Sequence, residues 1–174
     1  HGVIGYLLVG KRRDAIQRYL GAVRTHLGRA HPGVPQHIVA FSFGSIVCFD
    51  YLFPRRGIEP AGDGDISSVS LIGFPYVMVD SAIPGYFSGR DGRNLLSFQL
   101  QNYYLENDYL GSSIQSHLPE MFTEPLPRGG GFREVRATAQ QLIGPSLSPF
   151  APHFGYWDPG NPEGSDTIRA IEIG

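Results

Sequence analysis

A serine stands between small residues where a predicted strand passes into a predicted helix. The segment Ala40-Phe41-Ser42-Phe43-Gly44 has the form small-x-Ser-x-small. A sharp strand-to-helix turn forces the serine into a strained conformation and brings the residues two before and two after it together, so both are expected to be small. The Ser42 hydroxyl then projects from the carboxyl edge of the sheet, and the Phe43 amide lies at a helix N-terminus, where it can donate to an oxyanion. The pattern predicts a nucleophile; the alternative is that Ser42 only caps the helix.

A serine hydroxyl is a weak nucleophile until a base takes its proton, and the base must itself be oriented by a carboxylate. His153 lies far downstream, and Asp108 follows a predicted strand that ends near Tyr104. We therefore expect His153 to be the general base and Asp108 to orient it. Two other carboxylates remain alternatives to Asp108. Asp80 follows the preceding strand, and Glu106 lies close to Asp108 in the sequence.

The other histidines fit the role of base less well than His153. His37 stands at the start of the strand, at the opposite edge of the sheet from the serine. His117 falls only nine residues after Asp108 (117 − 108 = 9), which leaves little room for a further strand between them. Two more lie on or just beyond the first predicted helix and are expected to be solvated: His26 and His31.

The elements that must position these residues follow from the spacing of apolar side chains. Residues 12–29 carry apolar side chains at helical spacing, which predicts a helix with one packed face. Residues 37–41 form a β-branched run without alternation, which is typical of a central strand covered on both faces. Residues 43–53 are apolar nearly all round, which predicts a buried helix. The apolar face of the first helix consists of Ile16, Tyr19, Leu20, Val23 and Leu27.

Further strands are predicted downstream of this buried helix. Residues 55–65 read as a surface loop, and residues 69–73 and 94–104 as strands. Residues 74–93 are too apolar for an ordinary solvated loop, and residues 132–143 suit either a helix or a strand. Helices that alternate with short apolar strands predict an α/β fold with a mostly parallel sheet, in one domain over residues 1–174.

Composition excludes several classes of function. Hydrophobic residues make up 41% of the 174 residues and charged residues 17%, as in packed domains, and the formal charge of −2 favours neither nucleic acid nor an anionic membrane. Cys48 is the only cysteine, so no internal disulfide forms. The sequence contains no run of 18 apolar residues, so no transmembrane helix is predicted. None of the six histidines stands in an H-E-x-x-H pattern, so no metal site is expected.

The segment around Ser42 resembles the nucleophile elbow of the α/β-hydrolase superfamily, usually G-x-S-x-G, with Ala40 in the place of the first glycine. The order Ser42, Asp108, His153 is similar to the order of the catalytic groups in that superfamily. The resemblance, which extends from about residue 6 to residue 157, implies a lipase-like or esterase-like serine hydrolase. Such an enzyme cleaves a carboxylic ester through an acyl-enzyme, without a metal or an organic cofactor.

The same resemblance implies features around the serine. Aromatic residues that flank it or follow strands are expected to line an apolar acyl pocket or to form a lid: Phe41, Phe43, Phe74 and Tyr109. A second oxyanion donor normally comes from a loop after an earlier strand, and His1-Gly2 is a weak candidate for it. Only about forty residues precede Ser42. We therefore expect the upstream half of the sheet to be truncated, and a further chain segment or partner to complete it.

Two further interpretations remain open. A hydrolase-like domain that binds a ligand without catalysis would fit the missing second oxyanion donor. Acyl transfer by an acyltransferase or thioesterase would use the same site as ester hydrolysis, and the sequence does not distinguish the two reactions. The expected substrate is a small ester or lipid-like molecule, whereas a non-catalytic domain would bind a ligand or a partner; a nucleic acid is not expected.

Overall fold

The computed structural model describes residues 2–55, 66–90, 98–105, 108–121, 131–137, 153 and 156. Helices and strands alternate along this part of the chain, in agreement with the predicted α/β class. The elements are α1 (Gly2–Leu8), α2 (Gly10–Ala30), β1 (Gln36–Phe41), α3 (Phe43–Leu52), β2 (Ile66–Ile72), α4 (Tyr76–Ala82), β3 (Gln99–Leu105), a short 3-10 helix (Pro119–Met121) and β4 (Gly131–Ala137).

The four described strands form one sheet in the order β1-β2-β3-β4, with every neighbouring pair parallel. Phe41 at the end of β1 pairs with Ile72 of β2, which in turn pairs with Tyr103 of β3. Because parallel strands end at the same edge, the segments that follow β1, β2 and β3 meet there. This edge holds the site described below.

The prediction that β1 is a central strand is wrong for the described sheet, where β1 lies at the edge. Its residue Val39 is 47% exposed. The absence of alternation predicted cover on both faces, but side-chain pattern carries no information on whether a strand has one neighbour or two. The predicted completion of the sheet by a further segment concerns the side of β1 that pairs with none of the described strands.

Helix α2 forms where it was predicted, but its predicted packed face is largely exposed. Leu20 packs against the core, whereas Tyr19 is 73% exposed, and three more residues of the stripe also face solvent: Ile16, Val23 and Leu27. The buried residue of α2 is Arg24, which donates to Gln36 and to the hydroxyl of Tyr51. The face that α2 buries is set by these polar partners on β1 and α3, and not by its apolar stripe.

The prediction of a buried helix after Ser42 is confirmed by α3. Ile46 and Phe49 are fully buried, and the Phe49 ring packs against those of Phe74 and Phe87. Residues 74–90 supply four buried side chains to the core, Phe74, Val79, Tyr86 and Phe87, whereas Val77 and Met78 are exposed. The segment includes α4, which was not predicted. Strand β4 decides the ambiguous segment in favour of a strand as far as Ala137; residues 138–143 lie outside the described residues, as do residues 56–65 of the predicted loop and residues 94–97.

A buried charge cluster, made of Tyr6, Asp50, Tyr86 and Arg90, joins α1 and α3 to the segment after α4. Arg90 forms an ion pair with Asp50, and both tyrosine hydroxyls donate to the same carboxylate. Burial first, and then the negative charge of Asp50, raise the pKa of Tyr86 to about 12. The cluster stabilises the position of α3, the helix that begins directly after Ser42.

Among the described residues, no helix combines the length and the apolarity needed to span a bilayer.

Candidate functional site

Ser42 occupies the tight bend between β1 and α3. Its φ of 53° is the only positive φ of a non-glycine residue in the described part of the chain, so the predicted strain at this serine is confirmed. The Ser42 amide donates to the carbonyl of Ile72 at 2.8 Å, which fastens the bend to the end of β2. The Ser42 side chain makes no capping hydrogen bond to α3. The hydroxyl is therefore not used as a helix cap, which was the alternative to a chemical role.

Gly44, the second small residue of the bend, is less crowded than the sequence predicted. Gly44 is exposed, and a Cβ added there would meet none of the described heavy atoms within 4 Å. Among the described atoms, crowding therefore does not require a small residue at position 44. Crowding instead falls on Ser45, which is buried and donates its hydroxyl to the carbonyl of Ala40 at 2.8 Å.

Ser42, His153 and Asp108 form a continuous line of hydrogen bonds. The Ser42 Oγ lies 2.7 Å from Nε2 of His153, and Nδ1 of the same ring lies 2.8 Å from Oδ2 of Asp108. A carboxylate only accepts, so Nδ1 carries the proton and Nε2 is left to accept from the serine hydroxyl. This tautomer is the one in which an imidazole can take the serine proton.

The fold brings these three residues together from positions far apart in the chain. Ser42 follows β1 directly, and Asp108 lies three residues after the end of β3. Gly73, directly after β2, packs closely against the imidazole: an added Cβ there would lie 3.0 Å from Cε1 of His153. Gly73 also has φ +59°, a conformation that favours glycine. The ring of Phe41 stacks on His153 with centroids 4.9 Å apart.

Asp108 is buried, but its surroundings favour the ionised form of its carboxyl group. Burial acts to raise the pKa of its carboxyl, but hydrogen bonds from His153, from the Leu110 amide and from Tyr156, together with the charge of His153, hold that pKa below its ordinary value. The Leu110 amide donates to Oδ1 at 2.9 Å, and the other donors meet at Oδ2. A carboxylate that remains negative can stabilise the imidazolium formed when His153 accepts a proton.

Tyr156 belongs to this arrangement and was missed as a site residue. Its hydroxyl lies 2.9 Å from Oδ2 of Asp108 and accepts the amide of Leu105 at 3.0 Å. The residue is buried at 1% exposure. A signal was present in the sequence, because Tyr156 follows His153 by three residues, but a tyrosine alone does not indicate which group it contacts.

The residues expected to line the substrate pocket differ in their surroundings and in their burial. Phe41 contacts His153, and Phe43 begins α3, so its amide is one of the helix's first N–H groups, which lack partners within the helix. Tyr109 is 76% exposed beside Asp108. Phe74 lies in the core, where its side chain is fully buried against Phe49 and Phe87.

Among the described residues, the alternatives to the predicted acid and base do not join the site. Asp80 accepts the amide of Gly85 at the end of α4. His37 contacts Ser68, and His117 stacks on Tyr76. The predicted solvation of His26 and His31 is confirmed, since both are exposed. Glu106 and His1 lie outside the described residues, and Gly2 begins α1 as an exposed residue.

Cys48, in the middle of α3, is a further residue of a nucleophilic type, but it is buried. Burial raises the pKa of its thiol to about 12, so the reactive thiolate is not formed at neutral pH. Among the described side chains, no group of three or more His, Cys, Asp or Glu residues is gathered as a metal site.

The fold and the site define an α/β protein whose four described strands form a parallel sheet, with a serine, a histidine and an aspartate in hydrogen-bonded series at its carboxyl edge. No protein-family model, no curated protein and no solved structure matches the chain significantly. Function must therefore be argued from the chemistry of the site itself.

Proposed function

We propose that this protein is a serine hydrolase of the lipase or esterase type, which cleaves a carboxylic ester through an acyl-enzyme on Ser42. The observation that carries the proposal is the hydrogen-bonded series of Ser42, His153 and Asp108, with 2.7 Å and 2.8 Å between the successive heavy atoms. These are the lengths that proton transfer between a nucleophile and its general base requires.

The residues have complementary tasks in the proposed reaction. The Ser42 Oγ attacks the ester carbonyl carbon while its proton passes to Nε2 of His153. The carbonyl oxygen becomes an oxyanion that the Phe43 amide can bind, aided by the N-terminal end of α3. The C–O bond to the leaving group then breaks, and Nε2 returns the proton to the departing oxygen. Asp108 holds the ring and balances its positive charge in both steps.

Water completes the proposed cycle. It loses a proton to Nε2 of His153 as its oxygen attacks the acyl carbon, and the tetrahedral intermediate collapses with release of the carboxylic acid. The Ser42 oxygen regains its proton from the imidazolium. An apolar acyl group suits the surroundings, because the aromatic rings of Phe41 and Phe43 flank the serine in the chain and the exposed ring of Tyr109 follows Asp108.

Covalent labelling tests the activated serine directly. A fluorophosphonate probe is expected to label the wild-type protein at one site, and turnover of a short-chain aryl ester is expected to fall about 10³-fold or more in Ser42→Ala. Ser88→Ala is the matched control, since Ser88 is an exposed serine in the turn after α4. Labelling that persists in Ser42→Ala, or ester turnover unchanged in it, refutes the proposal.

Transfer to an alcohol uses the same acyl-enzyme, so product analysis separates it from hydrolysis. With an aryl ester in water, the free acid is the expected product. When an alcohol acceptor is added, a hydrolase continues to release mainly the acid, whereas an acyltransferase yields the new ester. A dominant ester product at low acceptor concentration would assign transfer as the reaction.

A further inference from the structure

The hydrogen-bonded series does not end at Asp108. Two donors meet at its Oδ2: Nδ1 of His153 at 2.8 Å and the hydroxyl of Tyr156 at 2.9 Å. The direction of the second bond is set by a third group, because the Leu105 amide donates to the Tyr156 oxygen at 3.0 Å. An amide only donates, so the single phenolic proton is directed to the carboxylate.

The packing around Tyr156 holds its hydroxyl in this position. Its ring meets Phe41 edge-on and stands perpendicular to the ring of His153, with centroids 6.2 Å apart. Gly73 and Gly111 leave the space that the ring needs: an added Cβ would lie 3.2 Å from Cε2 of Tyr156 at the first glycine and 2.6 Å from its hydroxyl at the second. A tyrosine enclosed in this way loses little entropy when it donates.

We propose that Tyr156 is a positioning residue of the Ser42 site, which shares Oδ2 of Asp108 with His153 and so sets how strongly the carboxylate pulls on the imidazole. This inference rests on the proposed function for its catalytic consequence, but not for its structural one. A phenol that donates to Oδ2 withdraws part of the negative charge that this oxygen offers to Nδ1–H. It also fixes the carboxylate plane, together with the Leu110 amide on Oδ1.

The hydroxyl of Tyr156 remains protonated among the charged and titratable groups that surround it. Burial first, and then the negative charge of Asp108, raise the pKa of Tyr156 far above neutral pH, so the hydroxyl remains a donor. The groups that face the His153 ring include Asp108 from the segment after β3, Ser42 from the bend after β1, and Tyr156 itself. Phe41 and Gly73 cover the ring without charge.

Tyr156→Phe removes the phenolic donor and keeps the ring. With one donor fewer, Oδ2 accepts more strongly from Nδ1–H of His153, so we expect the NMR resonance of that proton to move downfield. We expect the acidic limb of kcat/KM for an aryl ester to move to higher pH by roughly half a unit, because the imidazolium is then better stabilised. A merely structural anchor would lower stability without moving either quantity.

The matched control is Tyr86→Phe, which removes another buried phenol that donates to a buried carboxylate, that of Asp50, away from Ser42. It should leave the Nδ1–H resonance and the acidic limb unchanged. If Tyr156→Phe folds poorly, a ring-fluorinated tyrosine placed at position 156 keeps the hydroxyl and makes it a stronger donor, so both quantities should move in the opposite direction.

The outcomes separate this inference from the proposed function. The Nδ1–H resonance requires no turnover, so a downfield movement in Tyr156→Phe supports the positioning role even when Ser42 fails to react with the fluorophosphonate, a result that would refute only the hydrolase. A resonance that stays in place in Tyr156→Phe, or moves equally in Tyr86→Phe, overturns the positioning role whatever the esterase activity.

Discussion

Gly111 offers the sharpest test of the geometry around Asp108. A Cβ added at this position would lie 2.6 Å from Oδ2 of Asp108 and 2.6 Å from the hydroxyl of Tyr156, whereas ordinary contacts begin at 3.4 Å. Either those two atoms or the backbone of residue 111 must therefore move by about 0.8 Å (3.4 − 2.6 = 0.8). Oδ2 is the atom that orients His153, so Gly111→Ala should disturb the general base without touching Ser42.

The expected loss follows from the size of this displacement. A misplacement of about 1 Å in a supporting residue can cost about 10²-fold in rate, so the rate of fluorophosphonate labelling and kcat/KM for an aryl ester should both fall by roughly that factor. Overpacking of this kind typically costs about 1–3 kcal/mol of stability as well. Urea unfolding of the same samples measures that cost and shows whether the variant is folded during the rate measurements.

Gly21→Ala in α2 is the matched control. Its added Cβ would lie 3.5 Å from the hydroxyl of Tyr51, an ordinary contact. Replacing a helix-interior glycine by alanine should stabilise the protein by about 0.5–1 kcal/mol and leave labelling unchanged. Labelling of Gly111→Ala at the wild-type rate, in a folded protein, would show that the contact between Asp108 and His153 does not govern the reactivity of Ser42.

Three further predictions concern the bend, the core and acid stability. Gly44→Ala should keep near-wild-type labelling of Ser42, because the described atoms leave room for the methyl group; a loss of about 10²-fold or more would restore the sequence argument for a small residue there. Arg90→Met leaves the buried carboxylate of Asp50 without its cation and should cost about 3–5 kcal/mol in urea unfolding; a loss below about 1 kcal/mol would contradict the burial of this pair. The pKa of Asp108 is depressed below its ordinary value of 3.8, so its ionised form stabilises the fold above that pH and loses this effect as the pH falls through the lower folded value. The difference in unfolding free energy between wild type and Asp108→Asn should therefore narrow below about pH 3.8, and a constant difference would argue against the depressed pKa.

Local pattern was sufficient for much of the fold. The buried helix after Ser42 was predicted because α3 is apolar on all sides, and the strands were predicted because β-branched and aromatic runs suit a sheet. The strained bend at Ser42 was also predicted, since it depends only on the residues at the junction. These are short-range properties, and the positive φ of Ser42 bears that prediction out.

Properties that depend on neighbours distant in the chain were predicted less well. The apolar stripe of α2 looked like its packed face, but the contacts of Arg24 with Gln36 and Tyr51 turned another face inward. Phe74 looked like a lining residue because it follows a strand, yet the chain turned it into the core. In each case the same spacing of residues allows different side chains to be buried. The element packed against them decides which ones are.

The sequence by itself determined which residue types were present for nucleophilic chemistry, and in what order: a serine in a tight bend, then an aspartate, then a histidine. The tertiary structure alone decided that Ser42, Asp108 and His153 lie within hydrogen-bonding distance, and that Tyr156 joins them through Oδ2. The physical reason is that order along a chain constrains neither distance nor direction between residues up to 111 positions apart. For Ser42 and Asp108 they are set by the parallel register of β1, β2 and β3, which brings the ends of these strands to one edge. His153 is held there by its contacts with Ser42, Asp108 and the ring of Phe41.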